Sequence, residues 1–314
     1  MSDFISTMQM HSQETPLSVV KFERSLVAAE LGLAESTVAT RISFSDEGWS
    51  SRVYLLDNGE TVFKFPRSAE VAKDYWREIA ALILLDTIEC PLPTQRFRAT
   101  GPGRGFSYYG LIGSQLSEQL DILGEDDKTA IGCQIGSFLR YMHSLELPNM
   151  HTISISQEVE EYQEKYKLAL PVIETQFNNN EQAYVAEFFW DYLPAEVERL
   201  GASMKLCHGD LGSYNVVVTA DGTPGIIDFG NIGYYDTSKD FIDFGDSTIL
   251  SSALESYGDS PELREKISVR TIALQAIDLV YYMSKKNYTG VDKTTDRLRA
   301  LLIDQRNQVG DNVE

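Results

Sequence analysis

The chain has 314 residues, with 27 Lys and Arg against 47 Asp and Glu, a net charge of −20. That excess of carboxylates argues against nucleic-acid phosphates and anionic membranes as partners. The fractions of hydrophobic and charged residues, 43% and 24%, are those of a globular chain able to bury a sizeable core, and the length suits two domains.

In chain order, residues 1–15 read as a loose polar tail. Val19, Val20, Phe22, Leu26, Val27 and Leu31 follow helical spacing. Residues 38–44, 51–56 and 61–65 read as three antiparallel strands, with Asn58-Gly59 turning the second into the third. The intervening loop, 45–50, has one glycine; Ser50, Ser51 and backbone N–H groups there are candidates for touching phosphate. Lys64 is a lone lysine inside an apolar strand, costly to bury unless paired. A helix follows, with Val71, Tyr75, Ile79 and Leu82 on one stripe and Glu78 as the candidate partner of Lys64. Residues 106–112 read as a further strand and Gly113-Ser114-Gln115 as a hinge. Helices are expected over 126–145, 158–177, 181–200, 241–257, 261–285 and 292–308. The expected division is 1–112 and 113–314.

The decisive segment is Cys207-His208-Gly209-Asp210-Leu211-Gly212-Ser213-Tyr214-Asn215, followed by Ile226-Ile227-Asp228-Phe229-Gly230. Phosphoryl transfer needs a carboxylate to orient the attacking hydroxyl and take its proton. It also needs an amide oxygen and a second carboxylate to hold Mg²⁺ on the phosphates of ATP or GTP. Asp210, Asn215 and Asp228 supply these groups in the order and spacing of a kinase signature. Val216-Val217-Val218, the Asp221-Gly222 turn and the return through Ile226 form a hairpin that brings Asn215 and Asp228 to one edge. Lys64, fixed by Glu78, would grip the phosphates. His208 reads as structural support of the loop. Asp243 and Asp246 follow Asp240 by three and six residues, so a helix there could aim them at the substrate; Asp278 is a weaker candidate of the same type.

Cys90, Cys133 and Cys207 suit neither a disulfide framework nor a zinc site. The first twenty residues lack a basic n-region followed by an apolar run, and no apolar stretch approaches a membrane span, so a cytoplasmic protein is expected.

The chain resembles the aminoglycoside phosphotransferases, small-molecule kinases of the protein-kinase-like fold. Beyond the catalytic core, the run Phe138-Leu139-Arg140-Tyr141-Met142-His143 resembles the family's buried helix. The segments 206–210, 225–230 and 236–242 resemble the 2″-phosphotransferase branch. The resemblance implies an α+β fold with a small N-terminal antiparallel sheet plus one helix, and a large helical C-terminal lobe. It implies that Asp240 braces the catalytic loop, and that the acceptor is a polycationic aminoglycoside, in keeping with the acidity. A monomer is expected. Departures are Thr237, where the family often has proline, and Gly209, where protein kinases carry arginine; no A-P-E follows the D-F-G segment. The same H-G-D core serves kinases of macrolides, choline, homoserine and amino sugars, and a nucleotide-binding pseudokinase is the remaining alternative.

Overall fold

The computed structural model describes residues 15–46, 48 and 50–311. The expected loose tail and two residues of the 45–50 loop lie outside these.

Helix α1 (Leu17–Leu31) ends at Gly32, whose φ of 64° lets the Gly32 and Leu33 N–H groups return to the carbonyls of Ala29 and Ala28. Helix α2 (Glu35–Arg41) occupies most of what reads in the sequence as a first strand. Only β1 (Ile42–Ser45) of that stretch is extended. The physical reason is that Val38 is the one buried side chain of α2, packed in the cluster of Val20, Val27 and Ile42. Glu35 in the first turn and Arg41 in the last also match the helix dipole. A single anchor per turn satisfies a helix, whereas a strand would have to bury alternate residues.

Strands β2 (Ser51–Leu56), β3 (Thr61–Pro66), β4 (Arg96–Thr100) and β5 (Phe106–Tyr109) complete an antiparallel sheet ordered β1-β2-β3-β5-β4. β4 escapes the sequence pattern because it is a bulged edge strand with little of its surface buried. Helix α3 (Ala69–Thr87) is capped by the Ser68 hydroxyl, which accepts from Val71 N, and buries Tyr75, Glu78, Leu82 and Leu85.

The expected hinge is a short strand, β6 (Ser114–Gln115), paired antiparallel with the strand Val216–Val218. Helices α4 (Glu125–Met142), α5 (Ile155–Gln176), α6 (Asn179–Glu187), α7 (Leu193–Leu200), α8 (Ser247–Tyr257), α9 (Pro261–Ser284) and α10 (Tyr288–Asp311) make the larger part. Between them lie β7 (Met204–Cys207), β8 (Val216–Val218), β9 (Pro224–Ile226) and β10 (Gly233–Asp236). The fold is thus α+β, as expected.

One hydrophobic core joins the two parts: Val62, Leu82, Phe106 and Tyr108 belong to the same buried cluster as Ile135, Phe138, Val216 and Phe229. A second cluster holds α5, α7 and α9 together through Tyr162, Val197 and Ile272. No helix among the described residues is long and apolar enough to cross a membrane.

Candidate active site

β7 delivers His208, Gly209 and Asp210 onto a loop that requires glycine at its second position. Gly209 has φ of 82°, and a Cβ there would come within 2.3 Å of the Asn231 carbonyl oxygen. The place of the protein-kinase arginine is therefore closed to any side chain. Asp240 is fully buried beneath the loop and accepts from His208 N and Gly209 N, each at 2.8 Å. His143 Nε2 donates to the same carboxylate at 3.0 Å, while its Nδ1 lies 2.9 Å from the Tyr257 hydroxyl. Burial pushes the Asp240 carboxyl up, but His143 and the backbone donors outweigh it and hold the pKa below the usual range.

His208 is bonded through both ring nitrogens. Its Nδ1 accepts from Asp210 N at 3.3 Å and its Nε2 faces the Ile227 carbonyl at 2.9 Å, a pattern that fixes the neutral Nε2–H tautomer. His143, Cys207 and Asp240 have ligand atoms within 4.8 Å of one another. Both Asp240 oxygens are engaged by donors, and burial raises the Cys207 thiol pKa well above its ordinary value. That chemistry suits a packed thiol rather than a metal ligand.

The hairpin β8–β9 pairs Val216 with Ile226, so the residues just outside it, Asn215 and Asp228, stand side by side, and Ile227 N donates to Asn215 O at 3.0 Å. Asn215 Nδ2 donates to the Asp210 carbonyl at 2.8 Å. Asp228 sits at φ 60°, ψ 68°, a left-handed conformation costly for a side chain and tolerated best by Asp and Asn. Gln95 Oε1 holds it there by accepting from Asp228 N at 3.0 Å. From the sheet, Lys64 Nζ reaches both Glu78 oxygens, at 3.0 and 2.8 Å, and Asp228 Oδ1 at 2.8 Å. Lys64 and Glu78 are 4% and 1% exposed. Burial works against the Lys64 charge, but Asp228 and Glu78 raise its pKa well above the ordinary value. Burial pushes Glu78 up to about 7 against the pull of Lys64, with the Asp228 charge adding to the rise. In Asp228 burial is outweighed by Lys64, which keeps its carboxyl below the usual range.

A cation-bearing strand, a carboxylate on a loop and an amide–carboxylate pair at one hairpin edge can together hold a polyphosphate and direct a hydroxyl at it. The family model described as the phosphotransferase enzyme family matches residues 41–265. The chain belongs to the phosphotransferase enzyme family.

Solved structures place the fold of this phosphotransferase beside several relatives. The GDP and kanamycin complex of APH(2")-IIia is 19% identical, with a TM-score of 0.69 over 84% of this chain and 93% of that one. The streptomycin–ATP–APH(2")-IIa ternary complex is 16% identical, with a TM-score of 0.61 over 83% and 93%. The macrolide 2'-phosphotransferase MphH from Brachybacterium faecium is 17% identical, with a TM-score of 0.60 over 87% and 96%. No curated protein sequence matches this chain.

Two sequence expectations need correction in the phosphotransferase. Residues 242–246 are not helical, because the expected helix is split into the 3-10 turn Thr237–Phe241 and α8. Asp246 therefore caps α8, accepting from Thr248 N at 2.9 Å and Ile249 N at 3.1 Å, and pairs with Lys128 at 2.8 Å. Both of its carboxylate oxygens are engaged within the fold. The Ser51 hydroxyl is buried 2.8 Å from the Tyr75 hydroxyl, so it faces the sheet–helix interface. Around the loop 45–50, Arg67 binds Asp46 O at 2.8 Å and Gly48 O at 2.9 Å, a tie that nothing in the sequence announces.

Asp243 and Asp278, by contrast, share the surroundings of Asp210. Burial lifts Asp243 to about 6, Arg297 opposes, and Asp210 adds to the rise. Burial and the Asp243 charge lift Asp278 to about 7. Burial likewise raises Asp210, with the Asp228 charge adding to the rise. Gln95 and Tyr214, whose hydroxyl donates to Asp210 Oδ1 at 2.9 Å, are missed as functional residues by the sequence. Tyr214 lies inside the decisive motif, and its position next to Asn215 was the available signal.

Proposed function

We propose that this phosphotransferase moves the γ-phosphoryl group of ATP or GTP, with Mg²⁺, to a hydroxyl of an aminoglycoside, the 2″-hydroxyl by preference. The observation that carries the acceptor class is the trio of buried carboxylates Asp210, Asp243 and Asp278: the Asp210 charge adds to the rise of Asp243, and the Asp243 and Asp210 charges add to that of Asp278. Carboxylates so placed are relieved by ammonium groups. Neighbours solved with GDP and kanamycin, or with ATP and streptomycin, support the same pairing of ligands. In this reading residues 1–112 hold the nucleotide and 113–314 carry catalysis and the acceptor, in a cytoplasmic monomer.

The residues fit the metal. With Nδ2 of Asn215 committed to the Asp210 carbonyl, its Oδ1 has no hydrogen bond among the described residues. Asp228 engages Lys64 and Gly230 through Oδ1 and keeps Oδ2 free, and its side chain is 48% exposed. Two such oxygens suit a hard cation. Bound there, Mg²⁺ would neutralise charge that develops on the β,γ-bridging oxygen. Lys64, steadied by Glu78, holds the α- and β-phosphates. Asp210 accepts a hydrogen bond from the acceptor hydroxyl, aims its oxygen at phosphorus and takes its proton. Asp240 and His208 keep that carboxylate in place.

The test is a screen of nucleotide consumption with ATP and GTP against aminoglycosides, macrolides, choline and amino sugars. Turnover of a 2″-hydroxyl aminoglycoside is expected. Turnover of a neutral or singly charged alcohol alone would replace the aminoglycoside with another small-molecule acceptor.

A further inference from the structure

The catalytic loop carries a hydroxyl for which the transfer reaction has no step. Tyr214 Oη donates to Asp210 Oδ1 at 2.9 Å, the bond an acceptor hydroxyl must make in the reaction proposed above. The side chain is given a place there. Its ring lies over Gly212, where a Cβ would come within 2.5 Å of Cε1. Gln115 Nε2 holds its carbonyl at 3.0 Å. It is not sealed in, since 37% of the residue is exposed.

We propose that Tyr214 is a positioning residue that occupies the acceptor's place on Asp210 while no acceptor is bound, and so suppresses hydrolysis of the nucleotide. The inference rests on the reading of Asp210 as the group that receives the acceptor's proton. In the suppressed reaction a water oxygen would bond to the γ-phosphorus and the bond to the β,γ-bridging oxygen would break. The water proton would pass to Asp210, leaving nucleoside diphosphate and inorganic phosphate. Water brings one hydrogen bond and cannot recoup the tethered, charge-assisted bond it would displace. An acceptor with ammonium groups that also engage Asp243 and Asp278 can. The tyrosine thereby separates a one-contact nucleophile from a many-contact one.

The experiment measures phosphate release by the full chain with Mg-ATP and Mg-GTP and no acceptor. Tyr214→Phe removes the hydroxyl and keeps the ring, and should raise release about tenfold, the worth of one hydrogen bond of ~1.4 kcal/mol. Tyr214→Leu should do the same if the phenylalanine variant is unstable. Adding Asp210→Asn to either should return release to background. A rise cannot come from misfolding, which only lowers activity. Release at or below the wild-type rate in both variants overturns the inference, as does a phosphoryl group found on Tyr214 of the wild type, which would make it an acceptor. Failure of the underlying reading is separate: it would show as Asp210→Asn retaining transfer to kanamycin.

Discussion

Lys64 Nζ stands 2.8 Å from Asp228 Oδ1, a contact that joins β3 to the end of the catalytic hairpin across 164 residues of sequence. Glu78 completes the group from α3, so one buried ammonium serves two carboxylates. The cluster retains a net negative charge. Under the proposed function, phosphates entering beside Lys64 would compete with Asp228 unless a divalent cation entered with them, which would couple nucleotide binding to the metal.

Removing the lysine should expose that dependence. Lys64→Ala leaves Glu78 buried without a cation and should cost about 3–5 kcal/mol in denaturant unfolding, while raising the nucleotide KM at least about tenfold. Lys64→Ala combined with Glu78→Ala should regain part of the stability but none of the nucleotide affinity. A single variant as stable as wild type would contradict the burial of the pair.

Asp210→Asn should lower kcat by about a thousandfold or more and leave nucleotide affinity nearly intact, because the carboxylate acts on the acceptor hydroxyl. Calorimetric titration with nucleotide separates the two effects. Retention of a tenth of wild-type turnover would remove Asp210 from the mechanism.

Asp278 and Asp243 make stability and acceptor binding depend on pH. Their folded pKa values, about 7 and about 6, lie above the ordinary carboxylate value, so the native state binds more protons than the unfolded chain between about pH 4 and 7. Stability should fall as pH rises through that window, and Asp278→Asn should flatten the dependence seen in melting temperatures. A cationic acceptor requires the ionised forms, so its KM should rise as pH falls from 8 to 5.5. A KM that is level over that range would count against both carboxylates as acceptor contacts.

Asp246→Ala tests the correction made by the fold. Loss of the α8 cap should cost about 1 kcal/mol, with KM values for nucleotide and acceptor unchanged. A large rise in acceptor KM would return Asp246 to the substrate.

Asp210, Asn215 and Asp228 were legible in the sequence because a tight loop and a hairpin place them by local geometry, and Lys64 because a cation in an apolar strand demands a partner. Glu78, named as its candidate partner from the following helix, is the residue that Lys64 Nζ meets. Asp246 was misread because a carboxylate three residues beyond Asp243 looks the same whether a helix continues or begins there. α2 was misread because four residues with one buried valine satisfy either period.

The sequence by itself therefore determined which candidate groups the loop and hairpin present, in what order, and on which local frame, since short-range backbone geometry is encoded in neighbouring residues. Only the tertiary structure decided who meets whom. Gln95 on Asp228, Tyr214 on Asp210, His143 under Asp240 and the Asp243–Asp278 pairing depend on the packing of elements far apart in the chain, and electrostatic coupling depends on distance and burial, which a linear pattern does not carry.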